Sequence, residues 1–320
     1  MKIAIIGAGG IGCYYGARLQ HAGHQVHYIA RGEHLAALQI NGLQLTHPEF
    51  SYKSRVEAYS FDVLSEKFQP NDFDALLIST KATATVSIAD MLKTWFERTK
   101  QQTSVISLQN GIDNESKLAS ALGDDCIIGG LAVRIGGHIV RPGIIEATGL
   151  AQLIWGAWPH NNSPADLRFS SQLSRLTKAF NVAGIPTSNV PNIRRELWRK
   201  LIINNGVNPL SAITRLDTYA LSHHPHFGDI VHQLMKEAAR AAIADGEELT
   251  TQDADEMYEL ICTFDPIKTS MLVDLEKGRQ LEVDEISGAV IQRSKILGIS
   301  VPYTETVHAM LKHTIGADNA

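Results

Sequence analysis

The chain has 320 residues, room for about two domains, and its 29 Lys and Arg against 34 Asp and Glu leave a formal net charge of −5. That mild acidity gives no field for gathering nucleic acid or anionic lipid, and no run of about twenty apolar residues is present to span a membrane. Hydrophobic residues make up 44% of the chain, enough for a sizeable core, and Cys13, Cys126 and Cys262 are too scattered for a disulfide framework or a CxxC pair, so a reducing, cytoplasmic setting is expected.

Lys2 and the apolar residues after it superficially mimic a secretory leader. Gly7, Gly9, Gly10 and Gly12 break that stretch and no convincing cleavage site follows. It reads instead as a strand over 3–6, a glycine turn and a helix over 11–22 that ends at Gly23. A second strand covers 25–29, and apolar runs at 75–78 and 104–107 flank a helix over 83–98. Continuous apolar runs suit parallel strands buried on both faces, and their alternation with helices implies βαβ units. From 126 to 155 the glycine-rich, apolar texture suggests antiparallel strands appended to the parallel sheet. After Pro191 the pattern turns helical, over 192–215, 225–246, 252–263, 282–298 and 303–315. The expected fold class is therefore α/β, with a Rossmann-type doubly wound domain over 1–190 and an all-helical domain over 191–320.

Gly7-Ala8-Gly9-Gly10-Ile11-Gly12 matches G-x-G-x-x-G directly after a strand and at the opening of a helix. In that context the first glycine permits the tight turn, the second admits a pyrophosphate and the third lets helix and strand approach. The helix amino terminus offers N–H groups and a positive dipole end to the phosphates. At the end of the second strand the chain reads Tyr28-Ile29-Ala30-Arg31-Gly32, with no acid to bind a ribose 2′-hydroxyl. Arg31 can pair a 2′-phosphate, which favours NADPH over NADH. A solvated loop arginine is the alternative, and Glu33 lies close by.

Lys200, Asn204 and Asn208 stand at i, i+4 and i+8, on one helix face. A solvated stripe is the plain alternative. Asparagines flanked by Ile and Val inside an otherwise apolar helix fit a lined site better, because amides are poor helix-interior residues. Leu197, Trp198, Leu201 and Ile202 can fill the faces toward a core. Hydride delivery to a ketone builds charge on oxygen, and a lysine ammonium can stabilise it and give up a proton.

These blocks together resemble the ketopantoate reductase (2-dehydropantoate 2-reductase) family of the 6-phosphogluconate dehydrogenase-like superfamily, from end to end. The resemblance rests on the GAGGIG loop, Ser79-Thr80-Lys81-Ala82, Leu108-Gln109-Asn110-Gly111, the RRELWRKLIINNGVNPLSAI helix, and Ser270-Met271-Leu272-Val273-Asp274 followed by Glu282-Val283-Asp284. It implies NADPH-dependent reduction of ketopantoate to pantoate in pantothenate and coenzyme A biosynthesis, on a small-molecule 2-oxo acid. It also implies Lys200 as general acid and Glu282 as the acid that binds the substrate hydroxyl. Asn204 and Asn208 become substrate-contacting amides, and Ser270 the hydroxyl that helps hold the carboxylate. Asn110 would bridge nicotinamide ribose and substrate, Lys81 would contact the cofactor, and Arg31 would select the 2′-phosphate. Each has a local alternative: a turn at Asn110-Gly111, a helix cap at Ser270, a solvated acid at Glu282, a loop residue at Lys81.

Two departures stand out. Ala84 takes the place where relatives commonly have a glutamine, and Glu146 or Ala147 the place of a histidine. Such changes are compatible with a paralogue acting on another 2-oxo acid, and a non-catalytic NADPH-binding sensor is the rival of another class. His223-His224-Pro225-His226 invites a metal reading, but sequential histidines converge poorly on one ion, and Pro225 is expected as the first residue of a helix; no metal is expected. Asn114-Glu115-Ser116 and Asn161-Asn162-Ser163 are glycosylation sequons in form only. A helical second domain can pair with its copy, as a homodimer.

Overall fold

The computed structural model describes residues 1–159 and 164–318, which leaves the sequon at Asn161 outside the described residues. The chain divides into two compact units, one of Met1–Gln109 and Asn114–Ile193, the other of Asn110–Asp113 and Arg194–Ala320.

The first unit carries β1 (Lys2–Ile6), β2 (Gln25–Ile29), β3 (Leu43–His47), β4 (Phe50–Ser54), β5 (Glu57–Tyr59), β6 (Ala75–Ile78), β7 (Val105–Ser107), β8 (Ile127–Val133), β9 (Gly136–Arg141), β10 (Ile144–Thr148), β11 (Gln152–Ala157) and β12 (Thr187–Asn189). Its helices are α1 (Gly10–His21), α2 (Gly32–Asn41), α3 (Phe61–Lys67), α4 (Thr85–Thr99), α5 (Asn114–Leu122) and α6 (Pro164–Val182). The main sheet runs β12-β11-β8-β7-β6-β1-β2-β5, and its β5-β2-β1-β6-β7-β8 part is parallel throughout. Counted along the chain, those six strands have the 3-2-1-4-5-6 order of a doubly wound dinucleotide fold. The order reverses between β1 and β6, so the ends of these strands form the switch point at which such sheets bind ligands. Here they lead into Gly7 and into Ser79-Thr80.

The stretch over 126–155 is where the sequence reading needs correction. Only β11 is an antiparallel addition to the main sheet; β8 is its sixth parallel strand. Strands β9 and β10 leave it for a second sheet of order β4-β3-β10-β9, in which Ile144 pairs with Gln44 across a hundred residues of chain. The alternating burial of Leu43, Leu45 and His47 is the period-2 signal that identifies β3. Helix α1 packs between β1 and β2 on one side and β3, β9 and β10 on the other. Sheets on both sides explain why Cys13, Tyr14, Tyr15, Ala17 and Leu19 are all buried.

Among its described residues the second unit has only helices and connections: α7 (Ile193–Thr214), α8 (Thr218–Ser222), α9 (Phe227–Ala241), α10 (Thr251–Cys262), α11 (Ser270–Glu276), α12 (Ala289–Leu297) and α13 (Pro302–Asp318). The expected helix over 282–298 is continuous over 283–297 and composite, because a π-helical turn, Asp284–Gly288, runs directly into α12. Pro225 does not start a helix. It lies in a turn before α9, whose entry is capped by His224: the ring Nδ1 accepts the N–H groups of His226 and Phe227 at 3.1 and 3.2 Å. No helix of the described residues is long and apolar enough to cross a membrane.

Candidate active site

In the first unit the glycine loop follows β1 and is held by backbone contacts. The N–H groups of Gly7 and Ala8 both donate to the Ile29 carbonyl, at 3.2 and 2.8 Å. Gly7 has φ +102°, and a Cβ there would lie 2.5 Å from Thr80 Cγ2. At Gly12 a Cβ would meet the Gly7 oxygen and Ser79 Oγ, both at 2.4 Å, while Ser79 Oγ donates to that same Gly7 oxygen at 2.8 Å. Gly9 differs: a Cβ there meets nothing within 4 Å. The open position lies at the entry to α1, which has no side-chain cap and no acid in its first turn. The N–H groups of Gly10, Ile11 and Gly12 have no acceptor within the helix. An uncapped, uncharged helix start beside a glycine with room in front of it fits a pyrophosphate.

Around this loop the structure adds residues that sequence reasoning left without a role. Gln109 is buried, and its Nε2 donates to Thr80 Oγ1 (3.2 Å), the Lys81 carbonyl (3.1 Å) and Thr85 Oγ1 (2.9 Å). It thereby fixes the segment that carries Lys81, whose own side chain is exposed. The signal was present in the Leu108-Gln109-Asn110-Gly111 block. Arg31 is the exposed residue at the start of α2, immediately beyond β2 and Ala30. Glu146 faces His138 across the β9–β10 pair, 3.7 Å apart, the carboxylate exposed and the imidazole half-buried. Ala84 closes the short turn before α4 and offers only its backbone there, its N–H donating to the Lys81 carbonyl at 3.0 Å.

In the second unit α7 supplies the lysine–asparagine stripe. Leu197, Trp198, Leu201 and Ile202 are all buried. Asn205 is fully buried, and its Nδ2 donates to the Leu234 carbonyl of α9 (2.9 Å) and to Thr304 Oγ1 of α13 (3.2 Å). These bonds fix the roll of α7 about its axis, and with it the direction of Lys200, Asn204 and Asn208. Lys200 and Asn204 are half-buried and Asn208 is buried. At the base of α7, Asp253 accepts from Arg195 at 2.5 Å and from Arg199 at 3.1 Å.

Glu282 is buried, two residues before the π-helical turn, and its Oε2 accepts from Asn110 Nδ2 at 3.3 Å. It is therefore no solvated surface acid, and Asn110 is more than a turn residue. Burial pulls the Lys200 pKa down from 10.5 to about 8, against the opposing pull of the Glu282 carboxylate. An ammonium held near neutrality next to a buried carboxylate can donate a proton and be replenished. Ser270 is exposed in the first turn of α11. The cap of that helix is Thr269, whose Oγ1 accepts from Leu272 N at 3.2 Å. Among the described residues no group of three or more His, Cys, Asp and Glu is placed to hold a metal ion.

The chain is similar to known proteins over nearly its whole length. The family model described as ketopantoate reductase PanE/ApbA matches residues 3–160, and its C-terminal counterpart matches residues 192–314. The 2-dehydropantoate 2-reductase of Pyrococcus abyssi is 28% identical over 312 residues, covering 98% of this chain and 97% of the relative. A PanE/ApbA family ketopantoate reductase from Ralstonia eutropha JMP134, solved by crystallography, is 30% identical over all of both chains with a TM-score of 0.86. The 2-dehydropantoate 2-reductase structure from Geobacter metallireducens GS-15 is 26% identical with a TM-score of 0.84, over 98% of this chain and 100% of that one. This chain belongs to the ketopantoate reductase PanE/ApbA family.

Proposed function

We propose that the protein is an NADPH-dependent 2-dehydropantoate 2-reductase that converts this 2-oxo acid to pantoate. The observation that carries the reading is the Lys200–Glu282–Asn110 cluster, a proton donor with a pKa of about 8 beside a buried, hydrogen-bonded carboxylate. Residues 1–190 serve as the dinucleotide-binding domain and 191–320 as the substrate domain. Bound NADPH supplies a hydride to the substrate's C2 carbonyl carbon. Gly7, Ala8, Gly9, Gly10, Ile11 and Gly12 cradle its pyrophosphate, Arg31 pairs its 2′-phosphate, and Lys81 supports it from the end of β6.

As negative charge develops on the carbonyl oxygen, Lys200 Nζ stabilises it and transfers a proton, giving the 2-hydroxy acid. Glu282 orients the forming hydroxyl, and Asn110 holds the carboxylate to that task. Asn204 and Asn208 donate to substrate oxygens without adding charge, and Ser270 helps hold the substrate carboxylate. The three cysteines are free thiols, as a cytoplasmic enzyme requires. A homodimer is the assembly this reading expects, and light scattering tests it.

The test is the loss of NADPH absorbance with 2-dehydropantoate, beside a panel of other 2-oxo acids and with NADH as control. Selective turnover of 2-dehydropantoate with NADPH is expected. Selective turnover of another oxo acid would keep the chemistry and move the substrate, and Ala84 and Glu146 would then be the first positions to exchange. Binding of NADPH without any turnover would replace the reductase by a sensor.

A further inference from the structure

Arg293, on α12, reaches two carboxylates from different parts of the chain. Its Nε donates to both oxygens of Asp245 at 3.2 Å, and its Nη2 pairs with Asp113 Oδ1. The arginine side chain is only 12% exposed, so solvent screens these pairs weakly. Asp245 is itself a junction. Its Oδ2 accepts from the indole Nε1 of Trp198 at 3.2 Å, and its carbonyl accepts from Arg194 at 3.1 Å. Trp198 lies two residues before Lys200 on α7, and Asp113 lies three residues after Asn110. One guanidinium thus connects the helix that carries Lys200, the helix that follows Glu282, and the short loop that carries Asn110. A planar fork with separate edges can do this, whereas a single ammonium cannot serve both carboxylates in fixed directions.

The loop needs such a hold. Gly111, next to Asn110, has φ +96°, a region open to glycine at little cost. Buried Ile112 anchors the loop by apolar contact, which fixes depth but not the direction of the Asn110 amide. We propose that Arg293 is a positioning residue for the reduction: by clamping Asp113 to Asp245 it holds Asn110 in register with Glu282. The inference rests on the reading of this cluster as the reductase site. It assigns to Arg293 and Asp113 no contact with substrate, only the placing of a group that makes one.

The test has a kinetic and a structural arm. Asp113→Asn removes the charge but keeps the shape and leaves the Arg293–Asp245 pair intact, so it guards against the unfolding that Arg293→Met risks. Asp113→Asn should lower kcat/KM for the oxo acid about 10-fold, within the range that a small misplacement of a positioning group causes. In an Asn110→Ala background the same change should have an effect of less than about 2-fold, since it acts through Asn110. Equal effects in both backgrounds would overturn the proposal, because a general loss of packing is indifferent to Asn110. In the structural arm, backbone amide exchange across 110–113 should rise in Asp113→Asn and in Arg293→Met, while the rest of α12 keeps its protection. Unchanged exchange in the loop would also overturn it. A wild-type enzyme inactive on every oxo acid would remove the reductase reading, and the exchange arm alone would then decide whether the clamp exists.

Discussion

Asn110 Nδ2 donates to Glu282 Oε2 at 3.3 Å although the two residues are 172 positions apart. The bond joins the loop after β7 to the entry of the π-helical turn. Asn110→Asp would replace the donor by a second carboxylate at the same distance. Two such groups cannot both ionise freely, so the pair would retain a proton to higher pH. The expected order of kcat/KM at neutral pH is wild type, then Asn110→Ala, then Asn110→Asp. The Asp variant should recover part of its activity as the pH is lowered, and a flat pH response in that variant would refute the coupling.

As the proposed proton donor, Lys200 should set the upper pH limit of the reduction. Its folded pKa of about 8 means that the ammonium, the form able to give a proton, predominates below that pH and is lost above it. The kcat/KM for the oxo acid should therefore fall as pH rises through about 8, approaching a tenfold loss per pH unit. Lys200→Ala should lower turnover by roughly 10²–10⁴-fold, the range for one general acid. A variant with near-normal turnover and an unchanged pH profile would remove Lys200 from this role.

What could be read from the sequence was what is local along the chain. The GAGGIG loop carries its strand, turn and helix within a dozen residues, and the Lys200–Asn204–Asn208 stripe follows from helical spacing alone. The burial of Glu282 could not be read so, because an acid at the opening of a helical run usually marks a solvated first turn. Only the π-helical turn behind it and Asn110 from a distant loop make it a buried acceptor. The departure of β9 and β10 into a second sheet was hidden for a similar reason, since their partner β3 lies a hundred residues upstream. The Arg293–Asp113 pair spans 180 positions, and neither residue lies in a motif.

Arg31 should discriminate between the two nicotinamide dinucleotides. It is exposed at the start of α2 with no acid at Ala30, so its guanidinium is available to a 2′-phosphate. Arg31→Ala should raise the KM for NADPH by about 10-fold or more, the worth of one charge-assisted bidentate pair, and leave the KM for NADH nearly unchanged. Equal losses with both cofactors would show that Arg31 shapes the loop rather than reading the phosphate.

Neighbouring glycines of the loop should fail in different ways. A Cβ on Gly9 meets no protein atom within 4 Å, whereas one on Gly10 would lie 2.1 Å from the Gly137 carbonyl carbon and 2.3 Å from His138 N, both in β9. Gly9→Ala should keep the wild-type Tm and lose NADPH affinity, because the new methyl would occupy the space proposed for the pyrophosphate. Gly10→Ala should lower the Tm, since backbone cannot yield as a flexible side chain does. Dye-monitored melting with and without NADPH separates the two, and a Gly9→Ala protein that binds NADPH normally would contradict the placement of the cofactor.

Lys200, the proposed proton donor, should also weaken the fold. Its pKa is about 8 in the folded protein against 10.5 for an ordinary lysine, and that depression is a net penalty, because the Glu282 attraction already offsets part of the desolvation. Below about pH 8 both folded and unfolded chains carry the proton and the penalty is complete. Between about 8 and 10.5 the unfolded chain binds more protons, so this contribution to stability rises with pH. Lys200→Met keeps the length of the side chain and removes the charge. It should therefore unfold at higher denaturant than wild type at pH 7, and its advantage should shrink as the pH approaches 10.5. Denaturant melts of both proteins across that range read the difference directly, with other titrating groups cancelling between them. A methionine variant less stable than wild type at pH 7 would mean that the ammonium is held by more than it loses on burial, and the low pKa would then be wrong.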